Sequence, residues 1–126
     1  MRNVTITCDN WTAIGDTPIV QDVDGTDVVL HHIRMLDGGH KTLVSLAMDD
    51  QTLWVGGGED GKFVCCYDNA EQFGLVAALG TDETPVDVVV GGQPCDFKER
   101  NLLDFPFVEK IVRTYMNGRS ITEFFT

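Results

Sequence analysis

The fold is decided by the stretch LWVGGGEDGKFVCCY, which runs from Leu53 to Tyr67. Residues Thr52–Val55 and Lys62–Tyr67 are rich in β-branched, aliphatic and aromatic side chains, which favour strands. The glycines between them adopt positive φ at no steric cost, so the stretch is typical of a β-hairpin. Both faces of the second strand are apolar, which predicts a central position for that strand in its sheet.

The hairpin turn, Gly56–Gly61, also matches the G-x-G-x-x-G pattern of dinucleotide-binding loops. In those loops a helix begins at the glycines, and its N-terminal amides bind the pyrophosphate. Here a strand is expected to follow, and Glu59 and Asp60 would repel an anion. A hairpin turn is therefore favoured over a nucleotide site, and the absence of Gly-Lys-Ser/Thr excludes a P-loop.

Length and composition predict one globular domain spanning residues 1–126. The chain has 126 residues, enough for one domain with its own core, and 43% of them are hydrophobic. The first residues lack the apolar run of a signal peptide, and no segment is long and apolar enough to span a membrane. We expect a cytoplasmic protein that does not interact with membranes.

The charge of the chain is strongly negative. Nine lysines and arginines stand against twenty aspartates and glutamates, which gives a formal net charge of −11. A chain of this charge repels nucleic acids and anionic membranes. It attracts a basic protein and raises the rate of encounter with it.

No pattern in the chain predicts catalysis, a metal site or a cofactor. The three histidines lie in no catalytic motif, and the histidines and cysteines lack the spacing of a zinc site. Cys65 and Cys66 are adjacent in a strand and point to opposite faces, so they are not expected to pair with each other. The four cysteines are expected to be reduced and buried as small apolar residues, and they are Cys8, Cys65, Cys66 and Cys95.

Hydrophobic periodicity predicts further strands around the central hairpin. These strands are Asn3–Cys8, Lys41–Met48, Phe73–Leu79, Val86–Val90 and a short edge strand at Cys95–Arg100. In contrast, Asp9–Gly25 shows no sustained period. We expect that segment to be a surface connection, with Trp11 and Ile19 packed inward as anchors.

Two segments show helical spacing. In Thr26–Asp37 the apolar residues recur every three to four positions, although Val28–Leu30 alone would also fit a strand. Thr26 or Asp24 is the expected N-cap of this helix, and Asp104 that of the second. The second helix is expected to end at Asn117-Gly118, and its apolar face consists of Val108, Ile111, Val112 and Tyr115. The fold class is therefore α+β, an antiparallel sheet of about six strands with two helices packed on one face.

The turns of the sheet carry acidic residues at both ends. If the middle strands form a simple meander, Gly57–Asp60 and Gly80–Thr84 share one end. Asp49-Asp50, Asp68-Asn69 and Gly91–Pro94 then share the other end. Each end of the sheet is expected to carry its own acidic cluster.

The order of several short motifs resembles a known family. The motifs are Thr42-Leu43-Val44, Leu53–Gly58, Gly61–Val64, Val88–Gln93 and a helix near Tyr115 that closes on Gly118. They resemble the immunity proteins of bacterial polymorphic toxin systems, in particular the small family with paired VGGG and VGGQ elements. The resemblance covers residues 27–125. Where members of that family tend to end on a tryptophan, this chain has Phe124-Phe125.

The resemblance implies a binding function without catalysis or cofactor. An immunity protein binds a cognate toxin domain, often a nuclease or a deaminase, and blocks its active site or substrate groove. A toxin that acts on nucleic acid tends to present a basic cleft, which an acidic partner can occupy. The alternative is an acidic interaction or regulatory module unrelated to toxins.

On this interpretation the acidic turns are the candidate toxin contacts. The candidates are Glu59, Asp60, Asp82 and Glu83 at the glycine-rich end, and Asp49, Asp50 and Asp68 at the other. Each of these acids also fits an ordinary solvated turn. Trp54 is more typical of a core position, although an exposed tryptophan would be a strong candidate for an interface hot spot.

Overall fold

The computed structural model describes residues 4–69, 73–75, 81–121 and 124. Its strands are β1 (Val4–Cys8), β2 (Trp11–Thr12), β3 (Gly15–Asp16), β4 (Ile19–Val23), β5 (Leu43–Met48), β6 (Gln51–Gly57), β7 (Phe63–Asp68), β8 (Phe73–Leu75), β9 (Pro85–Val90) and β10 (Gln93–Lys98). Its helices are α1 (Thr26–Arg34) and α2 (Phe105–Met116), with short 3-10 turns at Glu59–Gly61 and Glu99–Asn101. Six strands form one antiparallel sheet in the order β4-β1-β5-β6-β7-β8. The α+β prediction is confirmed.

One face of the six-stranded sheet, called here the core face, packs against both helices. β7 shows the alternation that the sequence predicts, because Phe63, Cys65 and Tyr67 are buried on the core face while Val64 and Cys66 point to the other. β7 lies between β6 and β8, so it is not an edge strand. The face opposite the helices is called here the outer face.

The helices follow the predicted apolar spacing. All four predicted residues of the α2 face are buried, and they are Val108, Ile111, Val112 and Tyr115. Asp104 caps this helix, because its Oδ1 accepts a hydrogen bond from the Phe107 amide at 3.0 Å. α1 ends at Arg34, three residues before the predicted end, and its N-cap is Gly25 instead of Thr26 or Asp24. The chain beyond α2 packs back as expected through Ile121 and Phe124.

The prediction that Asp9–Gly25 is an irregular connection is wrong. The segment contains the small β2–β3 hairpin and β4, an edge strand that pairs with β1. The inward-facing residues of β4 are Ile19, Gln21 and Val23, as their register with β1 shows. Because Gln21 interrupts the apolar alternation, the sequence did not predict this strand.

The strands predicted at Val86–Val90 and Cys95–Arg100 are present as β9 and β10, but β10 ends at Lys98 and neither strand joins the main sheet. They form a separate hairpin, β9–β10, that packs on the outer face at the glycine end of β6. Gly56 permits this approach, because a Cβ there would lie 2.8 and 2.9 Å from the two methyl carbons of Val90. The predicted strand Phe73–Leu79 is present at 73–75, and its remainder lies outside the described residues.

A buried carboxylate fixes the hairpin in place. Asp9 Oδ1 accepts hydrogen bonds from the amides of Thr42 and Leu43, at 2.6 and 2.9 Å. Asp9 Oδ2 accepts from the Trp11 indole at 2.8 Å and from the Thr42 hydroxyl. That hydroxyl oxygen accepts a bond from the Gly92 amide at 2.9 Å, so the turn of the hairpin is tied to the start of β5. A buried carboxylate needs such donors to offset its desolvation.

This tie corrects the predicted distribution of turns. The meander was expected to place Gly91–Pro94 beside Asp49-Asp50, and this is wrong. The hairpin turn contacts Thr42, which precedes β5, whereas Asp49-Asp50 follows β5. The meander extends only from β5 to β8, so the turn at 91–92 lies at the glycine-rich end.

We expect Gly56→Ala to lower the free energy of unfolding by about 2 kcal/mol, because the new methyl group would overlap the stiff Val90 side chain. Urea unfolding of both proteins measures the difference. Gly74→Ala is the matched control, since a Cβ at Gly74 meets nothing within 4 Å. Adding Val90→Ala to Gly56→Ala should recover part of the loss, and equal stability of Gly56→Ala and Gly74→Ala would contradict the close crossing.

Candidate functional site

Glu59 and Asp60 lie in the exposed 3-10 turn between β6 and β7, as the sequence predicts. Asp60 has a φ of 56°, a left-handed conformation that aspartate and asparagine tolerate better than most residues. Glu59 contacts the chain that follows α1, because a Cβ added at Gly38 would lie 2.7 Å from the Glu59 Cβ. The position of this turn is therefore fixed by packing.

Asp82 and Glu83 are exposed, and both already interact with other side chains or amides of the chain. Asp82 Oδ1 accepts hydrogen bonds from the Thr84 hydroxyl and amide, at 2.6 and 2.9 Å, and these bonds hold the pKa of Asp82 below its usual range. Glu83 Oε1 lies 3.4 Å from Lys98 Nζ and 3.8 Å from Arg100 Nη2. The charge of Glu83 is thus largely compensated within the chain.

The structure brings the first four candidates to one end of the sheet. The Arg100 amide bonds to the Asp82 carbonyl at 2.9 Å, and the neighbouring Glu99 reaches Lys62 Nζ at 3.5 Å. Lys62 directly follows the turn that carries Glu59 and Asp60. Three cations, Lys62, Lys98 and Arg100, therefore lie among these acids. Gly80, which was predicted at the same end, lies outside the described residues.

The second set lies at the opposite end of the sheet. Asp49-Asp50 is the two-residue turn between β5 and β6, and Asp49 has a φ of 55°. Asp68 ends β7, paired with Thr52 on one side and Phe73 on the other. The three acids are thus brought together as predicted.

Buried tyrosines hold this second end in place. The Tyr115 hydroxyl lies 3.0 and 3.2 Å from the carbonyl oxygens of Leu46 and Gln51, on either side of the turn. The Tyr67 hydroxyl donates to Gln51 Oε1 at 2.7 Å. Burial raises the pKa of the Tyr115 phenol, so it remains a neutral donor at physiological pH. The turn that presents Asp49-Asp50 is therefore fastened to the core.

Charge is segregated across the molecule. The six strands of the main sheet contain no lysine, arginine or histidine, as their sequences show. Besides the three cations at the glycine-rich end, Lys110, Arg113 and Arg119 line a shallow groove along α2 and the residues that follow it, where Arg113 pairs with Glu109 at 2.8 Å. Because α2 covers the core face, this basic groove and the outer face of the sheet lie on opposite sides of the protein.

Sequence reasoning missed one feature of the outer face. Phe73 was expected only to extend a strand, yet its side chain is 70% exposed and meets Trp54 edge to face, with ring centroids 6.0 Å apart. Trp54 is half-buried on the outer face, so the expectation that it is a core residue is wrong. It is also not fully exposed. The pairing of Phe73 with Asp68 places both residues on the outer face. This pairing joins two separate strands, so the sequence around Phe73 does not reveal it.

The described residues contain no cluster of side chains suited to a metal ion, and two of their cysteines are protonated thiols. Within residues 4–69, 73–75, 81–121 and 124, no group of three or more histidine, cysteine or acidic side chains has the geometry of a metal site. Burial raises the pKa of Cys8 to about 11 and that of Cys65 to about 12, so both remain thiols. Neither helix in those same ranges has the length and apolarity needed to cross a membrane.

No protein-family model, curated protein or solved structure matches this chain. Its function must therefore be inferred from the geometry and charge of its own residues.

We expect two of the four thiols to react in the native protein. The expectation that all four cysteines are buried is confirmed for Cys8 and Cys65 and wrong for Cys66 and Cys95, which are partly exposed. Titration with a chromogenic disulfide at pH 8 should count two thiols in buffer and four in denaturant, with Cys66 slowed because burial raises its pKa. Cys95→Ser should reduce the native count to one, and a native count of four would contradict the packing of β1 and β7.

Proposed function

We propose that this chain is an immunity protein, which binds a basic cognate toxin domain and neutralises it by covering its active site. The observation that carries the proposal is the segregation of charge: six strands without a cation, with exposed acids in the turns at both ends. A surface of this kind attracts a partner whose cleft is built to bind phosphate. The order of the VGGG and VGGQ elements supports the same conclusion by resemblance.

Inhibition of this kind requires a rigid acidic surface and no chemistry. The Asp49-Asp50 turn is fastened through Tyr115, and the turn at Glu59-Asp60 is fixed by its contact with Gly38. A surface that is ordered before binding loses little conformational entropy on association. The acids then compete with substrate phosphates for the cations of a nuclease or deaminase toxin. The protein would act in the cytoplasm, where such a toxin finds its nucleic acid.

The net charge predicts fast and salt-sensitive association. A chain of charge −11 approaching a basic domain should associate at about 10⁸ M⁻¹s⁻¹ at low ionic strength. That rate should fall as salt screens the long-range attraction.

Expression of a toxin with and without this chain tests the function. The C-terminal domain encoded by the gene directly upstream should kill a bacterial host, and co-expression of this chain should restore survival by several orders of magnitude. A copy of the toxin inactivated at its active site provides the control for expression burden. Because inhibition is by occlusion, rescue should require a stable complex that co-purifies.

Killing without rescue would contradict the proposed function. The chain would then be better described as an acidic module that docks a basic protein outside toxin systems. A toxin domain that co-purifies with the chain yet remains fully active would also reject occlusion of the active site.

A further inference from the structure

Part of the outer face of the sheet remains exposed beside the β9–β10 hairpin. At the glycine end, Val90 lies over Gly56, and the neighbouring Val64 is buried. Further along the same strands, two cross-strand rows carry the side chains of what we call the open face, defined as Thr52, Trp54, Cys66, Asp68, Phe73 and Leu75. Their pairings place all six on the outer face of β6, β7 and β8.

The open face has an aromatic and aliphatic centre. Phe73 is 70% exposed and Leu75 is 38% exposed, and Trp54 packs edge to face against Phe73. Removing large apolar side chains from water is favourable, so a partner that covers them gains binding free energy. Tryptophan and other aromatic residues at the centre of an interface contribute most of its binding energy.

The charge around this centre selects the kind of partner. Asp68 lies within the open face, and the Asp49-Asp50 turn follows β5 at the same end of the sheet. The six strands supply no cation to offset these acids. At the glycine-rich end, in contrast, Glu83 and Glu99 are already paired with lysine or arginine side chains. At the glycine-rich end cations thus lie among the acids, whereas the strands that carry the open face contain Asp68 and no lysine or arginine.

This charge argues against a second copy of the chain as the occupant. Two open faces brought together would place the Asp68 side chains of both copies near one another, on strands that contain no cation. Like charges brought together at an interface weaken the association. A partner with basic residues around an apolar contact meets both requirements of the surface.

We propose that the open face is the surface that binds the toxin domain, with Phe73 and Trp54 at the centre of the contact and Asp50 and Asp68 at its acidic border. This inference rests on the proposed function and adds the location of the interface. It moves the main contact away from Glu59, Asp60, Asp82 and Glu83, whose contribution is reduced to long-range attraction.

A pair of matched lysine substitutions tests the apolar centre. Phe73→Lys and Ile14→Lys each replace an exposed apolar side chain by lysine and change the net charge equally. Ile14 lies in the β2–β3 turn and is 93% exposed. Calorimetric titration with the inactivated toxin domain should show affinity reduced about 30-fold or more by Phe73→Lys, as for a hot spot. The affinity of Ile14→Lys should stay within about threefold of that of the unmodified chain, because the added lysine is fully exposed and lies outside the open face.

Neutral substitutions test the acidic border in the same way. Asp50→Asn with Asp68→Asn removes two charges at the open face, and Glu59→Gln with Asp60→Asn removes two at the glycine-rich end. Asparagine tolerates the left-handed conformation of residue 60. The first pair should lower the association rate more than it raises the dissociation rate, and should reduce affinity about tenfold more than the second pair. Thermal unfolding of each variant verifies that the fold is intact, and Phe73→Ala provides a variant without added charge.

The outcomes separate this inference from the proposed function. If the unmodified chain protects cells and Phe73→Lys binds as tightly as Ile14→Lys, the location is wrong while the immunity function stands. If the toxin domain binds through the open face but cells still die, the location holds and the immunity function is wrong. If the domain does not bind, both are rejected. Sedimentation that shows a dimer, lost in Phe73→Lys, would identify a second copy as the occupant and overturn the proposal.

Discussion

The absence of a side chain at Gly56 is the constraint on which the architecture depends. It lets Val90 lie directly over β6, so the β9–β10 hairpin covers one part of the outer face. The buried Asp9 carboxylate then fixes the turn of that hairpin through Thr42. Because the hairpin is held at the glycine end, the rest of β6 and β7 retains an exposed surface beside it. A backbone feature thereby decides which surface is available to a partner.

Charge and packing act on different parts of the molecule, and both support the proposed function. The helices and the core face build a rigid platform, and the cations lie mainly on α2 and near the β9–β10 hairpin. The six sheet strands contain no lysine, arginine or histidine, so no cation lies on the strands of the open face. In the proposed complex, attraction brings a basic partner to this side, and desolvation of Phe73 and Trp54 stabilises the contact once formed. Neither effect requires catalysis.

The features that the sequence predicted correctly are local. The alternation in β7 and the α2 face between Asp104 and Asn117 follow from periodicity and caps within one element. What it missed depends on pairing between distant segments. β4 was overlooked because Gln21 interrupts its apolar row, and the hairpin was misplaced because the Gly56 contact forms only in the folded chain. The acidic turns were found, but their compensation by cations across the β9–β10 hairpin was not.

The most direct test is the alkylation rate of two cysteines in one complex. Cys66 lies in the open face and Cys95 lies in β10, so each reports on a different surface of the same protein. We expect the bound toxin domain to slow the alkylation of Cys66 by about tenfold or more, because an interface core excludes reagent and water. The alkylation rate of Cys95 should not change. Slowed Cys95 with unchanged Cys66 would contradict the account, because the partner would then occupy the hairpin instead of the open face.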